Sequence, residues 1–201
     1  MIDKIKQNRQ KVQELFHKIQ ATTTEGSSVL VEEALEKAIN MIMEQSNAEG
    51  KLLFIGNGGS AAIASHMATD FWKNAGIKAL AFNDSSLLTC ISNDEGYENV
   101  FAKPIEMFAE SNDILCAVSS SGQSENILRG VQAAKEKGLR VITFSGFKTD
   151  NSLRSKGDIN FYVPTSHYGH VECLHHFLIH SLIDVIHSIK LELKERAVIH
   201  E

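Results

Sequence analysis

With 201 residues and 43% hydrophobic side chains, the chain can bury a full core, and residues 1–201 are expected to form one domain. A formal net charge of −5, with no block of Lys or Arg on any predicted helix face, removes the electrostatic source that binding to nucleic acid needs. Three cysteines without a Cys-x-x-Cys spacing, and a charged start Met1-Ile2-Asp3-Lys4-Ile5-Lys6 with no apolar segment of membrane length, fit a cytoplasmic protein with reduced, mostly buried thiols.

Residues 1–48 read as two helices divided at Thr22-Thr23-Thr24-Glu25-Gly26-Ser27. Ile2, Ile5, Val12, Leu15, Phe16 and Ile19 make one apolar stripe, and Val31, Ala34, Leu35, Ala38, Ile39 and Ile42 make a second. Such helices cover either their own domain or another copy of the chain. From residue 49 to 201 the pattern alternates: strands near 51–55, 78–82, 113–118, 140–144 and 159–163, helices near 60–74, 85–92, 98–109, 123–137 and 170–190. Gly138 is a plain helix stop. This rhythm predicts an α/β fold, a doubly wound parallel sheet covered by helices on both faces, whose ligands lie beyond the carboxyl ends of the strands.

Two loops fall at those ends. Phe54-Ile55 breaks into Gly56-Asn57-Gly58-Gly59-Ser60 before a helical pattern, so backbone N–H groups of a helix start face whatever the glycines let approach. A phosphate fits there, although such turns also occur for tight packing alone. About sixty residues later the arrangement recurs: Ile114 to Val118 leads into Ser119-Ser120-Ser121-Gly122-Gln123-Ser124 and then a helix. Serine hydroxyls at a helix start can surround a dianion with neutral donors, or merely cap the helix. Neither loop ends in Gly-Lys-Ser/Thr, which argues against a P-loop nucleotide hydrolase.

Five of the nine histidines lie between His167 and His180. On a helix Glu172, His176 and His180 share one face, and His66 and Asp70 share another by the same spacing. Two imidazoles and two carboxylates from separate helices are a suitable donor set for zinc, while His-x-x-x-Asp is also a common hydrogen-bonded pair. Phe71 and Trp72 beside Asp70 read either as a pocket wall or as core, and Lys148 and Arg154 read as solvated loop charges.

The order of the glycine loop, His66, Asn93-Asp94-Glu95-Gly96-Tyr97, the serine loop and the helix Val171 to His180 resembles the sugar isomerase (SIS) domain of bacterial phosphoheptose isomerases over nearly the whole chain. The resemblance implies an aldose–ketose isomerase, acting on sedoheptulose 7-phosphate and a heptose 7-phosphate through an enediol, and a homotetramer joined through the N-terminal helices. It implies substrate contacts at Asn57, Gly58, Gly59, Ser60, Asp94, Ser119, Ser120, Ser121 and Ser124. It also implies zinc held by His66, Asp70, Glu172 and His180, with Asp70 and His180 as the acid/base pair and Glu172 next in rank as base. Asp94 reads equally as a turn residue fixing its own backbone. The chain departs from the family pattern: Asp70 stands where glutamate is usual, Glu172 for glutamine, Asn74 for arginine, and Gly169-His170 where an acidic and a basic residue are usual. A non-catalytic sugar-phosphate-binding or protein-interaction module, and an enzyme acting on amino sugar phosphates, are the alternatives.

Overall fold

The computed structural model describes residues 1–24 and 26–199. Its elements run α1 (Ile2–Phe16), β1 (Gln20–Thr23), β2 (Ser28–Val29), α2 (Val31–Asn47), β3 (Leu52–Gly56), α3 (Gly59–Asn74), β4 (Ala79–Ala81), α4 (Ser85–Asp94), α5 (Ala102–Phe108), β5 (Ile114–Ser119), α6 (Glu125–Glu136), β6 (Arg140–Gly146), β7 (Ile159–Val163) and α7 (Tyr168–Ile199). The seven strands form one sheet in the order β2-β1-β7-β6-β5-β3-β4.

From β3 to β7 every pairing is parallel. Side chains on these strands alternate between two covered faces, which is why the runs read as continuously apolar. Leu52 and Phe54 of β3, Ile114, Cys116 and Val118 of β5, and Ile142 and Phe144 of β6 pack with α2, α3 and α7. Their neighbours Leu53, Ile55, Leu115, Ala117 and Val141 face the layer that contains α5 and α6. Counted along the parallel strands, the order is that of the flavodoxin-like doubly wound sheet. The chain reverses direction across the sheet between β3 and β5, so the crevice at their carboxyl ends receives both predicted loops.

The N-terminal region departs from the expectation of two helices and a turn. Residues 20–29 form a hairpin that extends the sheet in the antiparallel sense: Ala21 pairs with Phe161, and Thr22 with both Asn160 and Ser28. Ile19, placed above on a helical stripe, is buried ahead of β1 instead. Four residues carry too little periodicity to announce a strand, and the hairpin depends on the free edge that β7 offers. Arg154 fastens it, stacking 4.1 Å over the Tyr162 ring and donating to Gln20 Oε1 at 2.6 Å. The reading of Arg154 as a solvated loop charge is therefore corrected. Glu25, within the expected divider, lies outside the described residues.

The cysteine expectation also changes: Cys116 is buried in β5, but Cys90 and Cys173 are exposed on this chain. No helix among the described residues is long and apolar enough to cross a membrane.

Candidate active site

The glycine loop folds as its composition demands. β3 ends at Gly56, Gly58 takes a positive φ of 54°, and α3 begins at Gly59. Gly59 has a steric reason as well, since a Cβ there would fall 2.5 Å from Glu172 Oε1. The Glu172 carboxylate thus lies against the first turn of α3, at its positive end.

The serine loop is set by Gly122, at φ 62°, where a Cβ would collide with the Asn151 side chain. Asn151 braces it from the loop after β6, donating to the Gly146 and Lys148 carbonyls at 3.1 and 2.9 Å, and Leu153 N–H donates to the Gly122 carbonyl. Ser119 Oγ accepts from Gly122 N–H and Ser121 Oγ from Gln123 N–H. Ser120 is different, for its hydroxyl is buried without a partner.

The two loops face one another across a single cleft lined by Asn57, Ser60, Ser119, Ser120, Ser121, Ser124, Tyr168 and Glu172. The glycine loop is tied to the start of α6 by a reciprocal amide pair, Asn57 with Asn126, both bonds 2.9 Å, and Tyr97 Oη donates to Asn57 Oδ1 at 3.0 Å. Asn126 and Tyr168 were not anticipated from sequence. Asn126 lies two residues after Ser124, and that proximity was the available signal. Asp94 lies outside the cleft lining, at the end of α4, where it accepts from Asn93 Nδ2 at 2.7 Å.

One turn and more along the same helices stands a histidine cluster. One ligand atom each from His66, His176 and His180 lies within 4.8 Å of the others, and Asp70 Oδ2 is 3.4 Å from His66 Nε2. His66 sits edge-on to both partner rings, with centroids 5.2 and 5.6 Å away. Burial pushes the His176 imidazole below its usual pKa, and positive charge on His180 and His66 would push it further, against the opposing pull of Asp70. His176 Nε2 is buried without a partner.

The remaining histidines of the run have other tasks. His175 is fully buried with its pKa lowered to about 4, so it is neutral, and Nε2 must be the protonated nitrogen because it meets the Ser145 carbonyl at 2.9 Å. That bond pins α7 to the end of β6. His170 meets Asn8 Oδ1 of α1 at 2.7 Å and stacks on His167, their centroids 4.1 Å apart. Phe71 is core, packed on Phe54 at 5.7 Å, whereas Trp72 is exposed, so neither walls the cleft.

The SIS domain family matches residues 9–146. The chain is 38% identical over 162 residues to a protein named phosphoheptose isomerase from Proteus mirabilis, covering 77% of this chain and 83% of that one. It is 36% identical over 165 residues to a protein of the same name from Thermodesulfovibrio yellowstonii, covering 79% and 82%. Among solved structures, phosphoheptose isomerases from Neisseria gonorrhoeae and Francisella tularensis superpose with TM-scores of 0.79 and 0.80, at 27% and 26% identity. Each covers 92% of this chain, and 98% and 97% of their own.

Proposed function

The chain belongs to the SIS domain family and, within it, to the phosphoheptose isomerases, and from that premise we propose that it interconverts sedoheptulose 7-phosphate and D-glycero-D-manno-heptose 7-phosphate. The observation that carries the reading is that α3 and α7, which reach the serine-lined cleft through Ser60 and Glu172, also carry the histidine cluster with Asp70 beside it. The cleft suits a phosphate, the cluster a proton transfer.

In this reading Ser60, Ser119, Ser120, Ser121 and Ser124 hold the phosphate as neutral donors, with the backbone of Gly58 and Gly59 and the Asn57 amide closing around the sugar. Asp94 does not line the cleft, and its carboxylate accepts from Asn93 Nδ2, so the turn reading fits it better than a contact with sugar hydroxyls. Asp70 takes the proton from C1 of the ketose, whose electrons form the C1–C2 double bond while O2 gains a proton from His180. Returning the carbon-bound proton to C2, as O1 releases its own, leaves the aldehyde at C1. One carboxylate and one imidazole suffice for this exchange.

Three imidazoles gathered this closely, with the Asp70 carboxylate beside one of them at His66, fit zinc by donor type, and His66, Asp70 and His180 would hold it, with Glu172 the fourth residue assigned from sequence. Bound zinc would supply Lewis-acid polarisation of the substrate carbonyl.

We take residues 1–201 as one SIS domain, with 1–48 as the N-terminal segment of the 49–201 core, working in the cytoplasm as a homotetramer. Support for assembly comes from α1, which exposes Ile2 and Ile5 and carries Phe16 against Phe177 of α7, with a groove between the two helices lined by Arg9, Val12 and Cys173.

The test is incubation of the purified protein with ketose phosphates of seven, six and five carbons, following aldose formation and exchange of the C1 hydrogen with solvent. Turnover greatest on the heptose is expected. Binding without exchange on any of them would replace the isomerase by a sugar-phosphate-binding module.

A further inference from the structure

Glu172 and His176 are one helical turn apart on α7, yet their side chains go to different neighbours. The Glu172 carboxylate lies beside Gly59 in the serine cleft. His176 joins His66 and His180, and its Nε2 is out of water with nothing to bond. A buried polar atom without a partner is costly to keep, and a native fold retains one where a ligand satisfies it in the working state. The atoms around this one are metal donors.

We propose that His176, and not Glu172, completes the zinc site with His66, Asp70 and His180, leaving Glu172 to face the substrate in the serine cleft. The inference rests on the zinc reading above. Its chemical consequence is a change of charge. Three neutral imidazoles and one carboxylate leave a divalent ion with one net positive charge, whereas two imidazoles and two carboxylates neutralise it. The imidazole-rich set is the stronger Lewis acid and suits a carbonyl substrate better. It also accounts for a glutamate being tolerated at position 172, since that carboxylate no longer competes for the ion.

The experiment is zinc titration of the full-length protein against a chromophoric chelator, comparing wild type with His176→Ala and Glu172→Ala, each checked for an unchanged thermal melt without metal. Loss of a direct ligand is expected to exceed the ~10–100-fold weakening typical of outer-shell changes in His176→Ala, with Glu172→Ala within about threefold of wild type. In a second arm, His176→Cys is loaded with cobalt. A thiolate-to-cobalt charge-transfer band in the near ultraviolet, absent from wild type and His176→Ala, is expected, and a residue with only a packing role would not produce it.

Tight zinc binding by wild type with no loss in His176→Ala, or loss in Glu172→Ala alone, overturns the assignment while the zinc site stands. No zinc bound by wild type overturns both. Turnover, read separately, decides the isomerase assignment whichever of these results holds.

Discussion

Ser120 offers a test that separates substrate binding from stability. Its hydroxyl is buried with no partner, so Ser120→Ala removes nothing that the free protein uses and should leave the melting temperature unchanged or slightly higher. If that hydroxyl donates to phosphate, the same change removes a charge-assisted bond of about 1.5–3 kcal/mol, and the Michaelis constant should rise by roughly ten- to a hundredfold. A falling melt with unchanged affinity would place Ser120 in the framework. Asp70 and Glu172 divide in another way. Asp70 lies 3.4 Å from His66 Nε2 in the histidine cluster, and Glu172 lies against Gly59. Asp70→Asn should lower kcat by about 10²–10⁴ as a lost general base. Glu172→Gln should retain turnover, and loss in that variant alone would exchange their roles. These carboxylates were visible from spacing as helix-face neighbours of histidines, but spacing could not tell which one met the imidazoles. That depended on how α3 and α7 cross.

Among the elements, the loop after β5 is the most constrained. Gly122 combines a φ of 62° with a Cβ position that Asn151 occupies. Gly122→Ala should therefore cost about 1–3 kcal/mol in backbone strain, together with displacement of the Asn151 brace, read as a lower urea midpoint. Because the serines ride on that loop, phosphate affinity should fall in parallel, which a purely local packing role would not produce. The sequence displayed the loop openly as serines around a glycine after an apolar run. The Asn57–Asn126 clip was not legible, because nothing local to either asparagine specifies a partner 69 residues away. The hairpin of β1 and β2 was missed for a related reason. A four-residue strand becomes one only when Gln20 to Thr23 find the edge of β7.

For the molecule as a whole, the apolar face shared by α1 and α7 bears on assembly. Sedimentation or light scattering at micromolar concentration should return about four times the 22.2 kDa chain mass. Deletion of residues 1–14 stops short of buried Leu15 and of β1, so it should lower that mass while the far-ultraviolet spectrum keeps its sheet and helix signature. A tetramer that survives the deletion would move the interface away from α1.

The amino-acid sequence by itself determined the parallel core, because buried strands and amphipathic helices write their periods into every few residues, and the strands at 52–56, 114–119 and 159–163 lie where their apolar runs stand. It also determined the two loops at the carboxyl ends of β3 and β5, whose glycines and serines are local requirements of a turn and a helix start. Tertiary structure alone decided which residues of α7 meet which residues of α3. The five-residue reach from Glu172 to His176 spans a face of α7 that passes both the serine cleft and the histidine cluster, and the register of packing against α3 sets which side chain enters each. A helical period names a face, but the opposite wall lies a hundred residues away in the chain, and only the packed core brings it near.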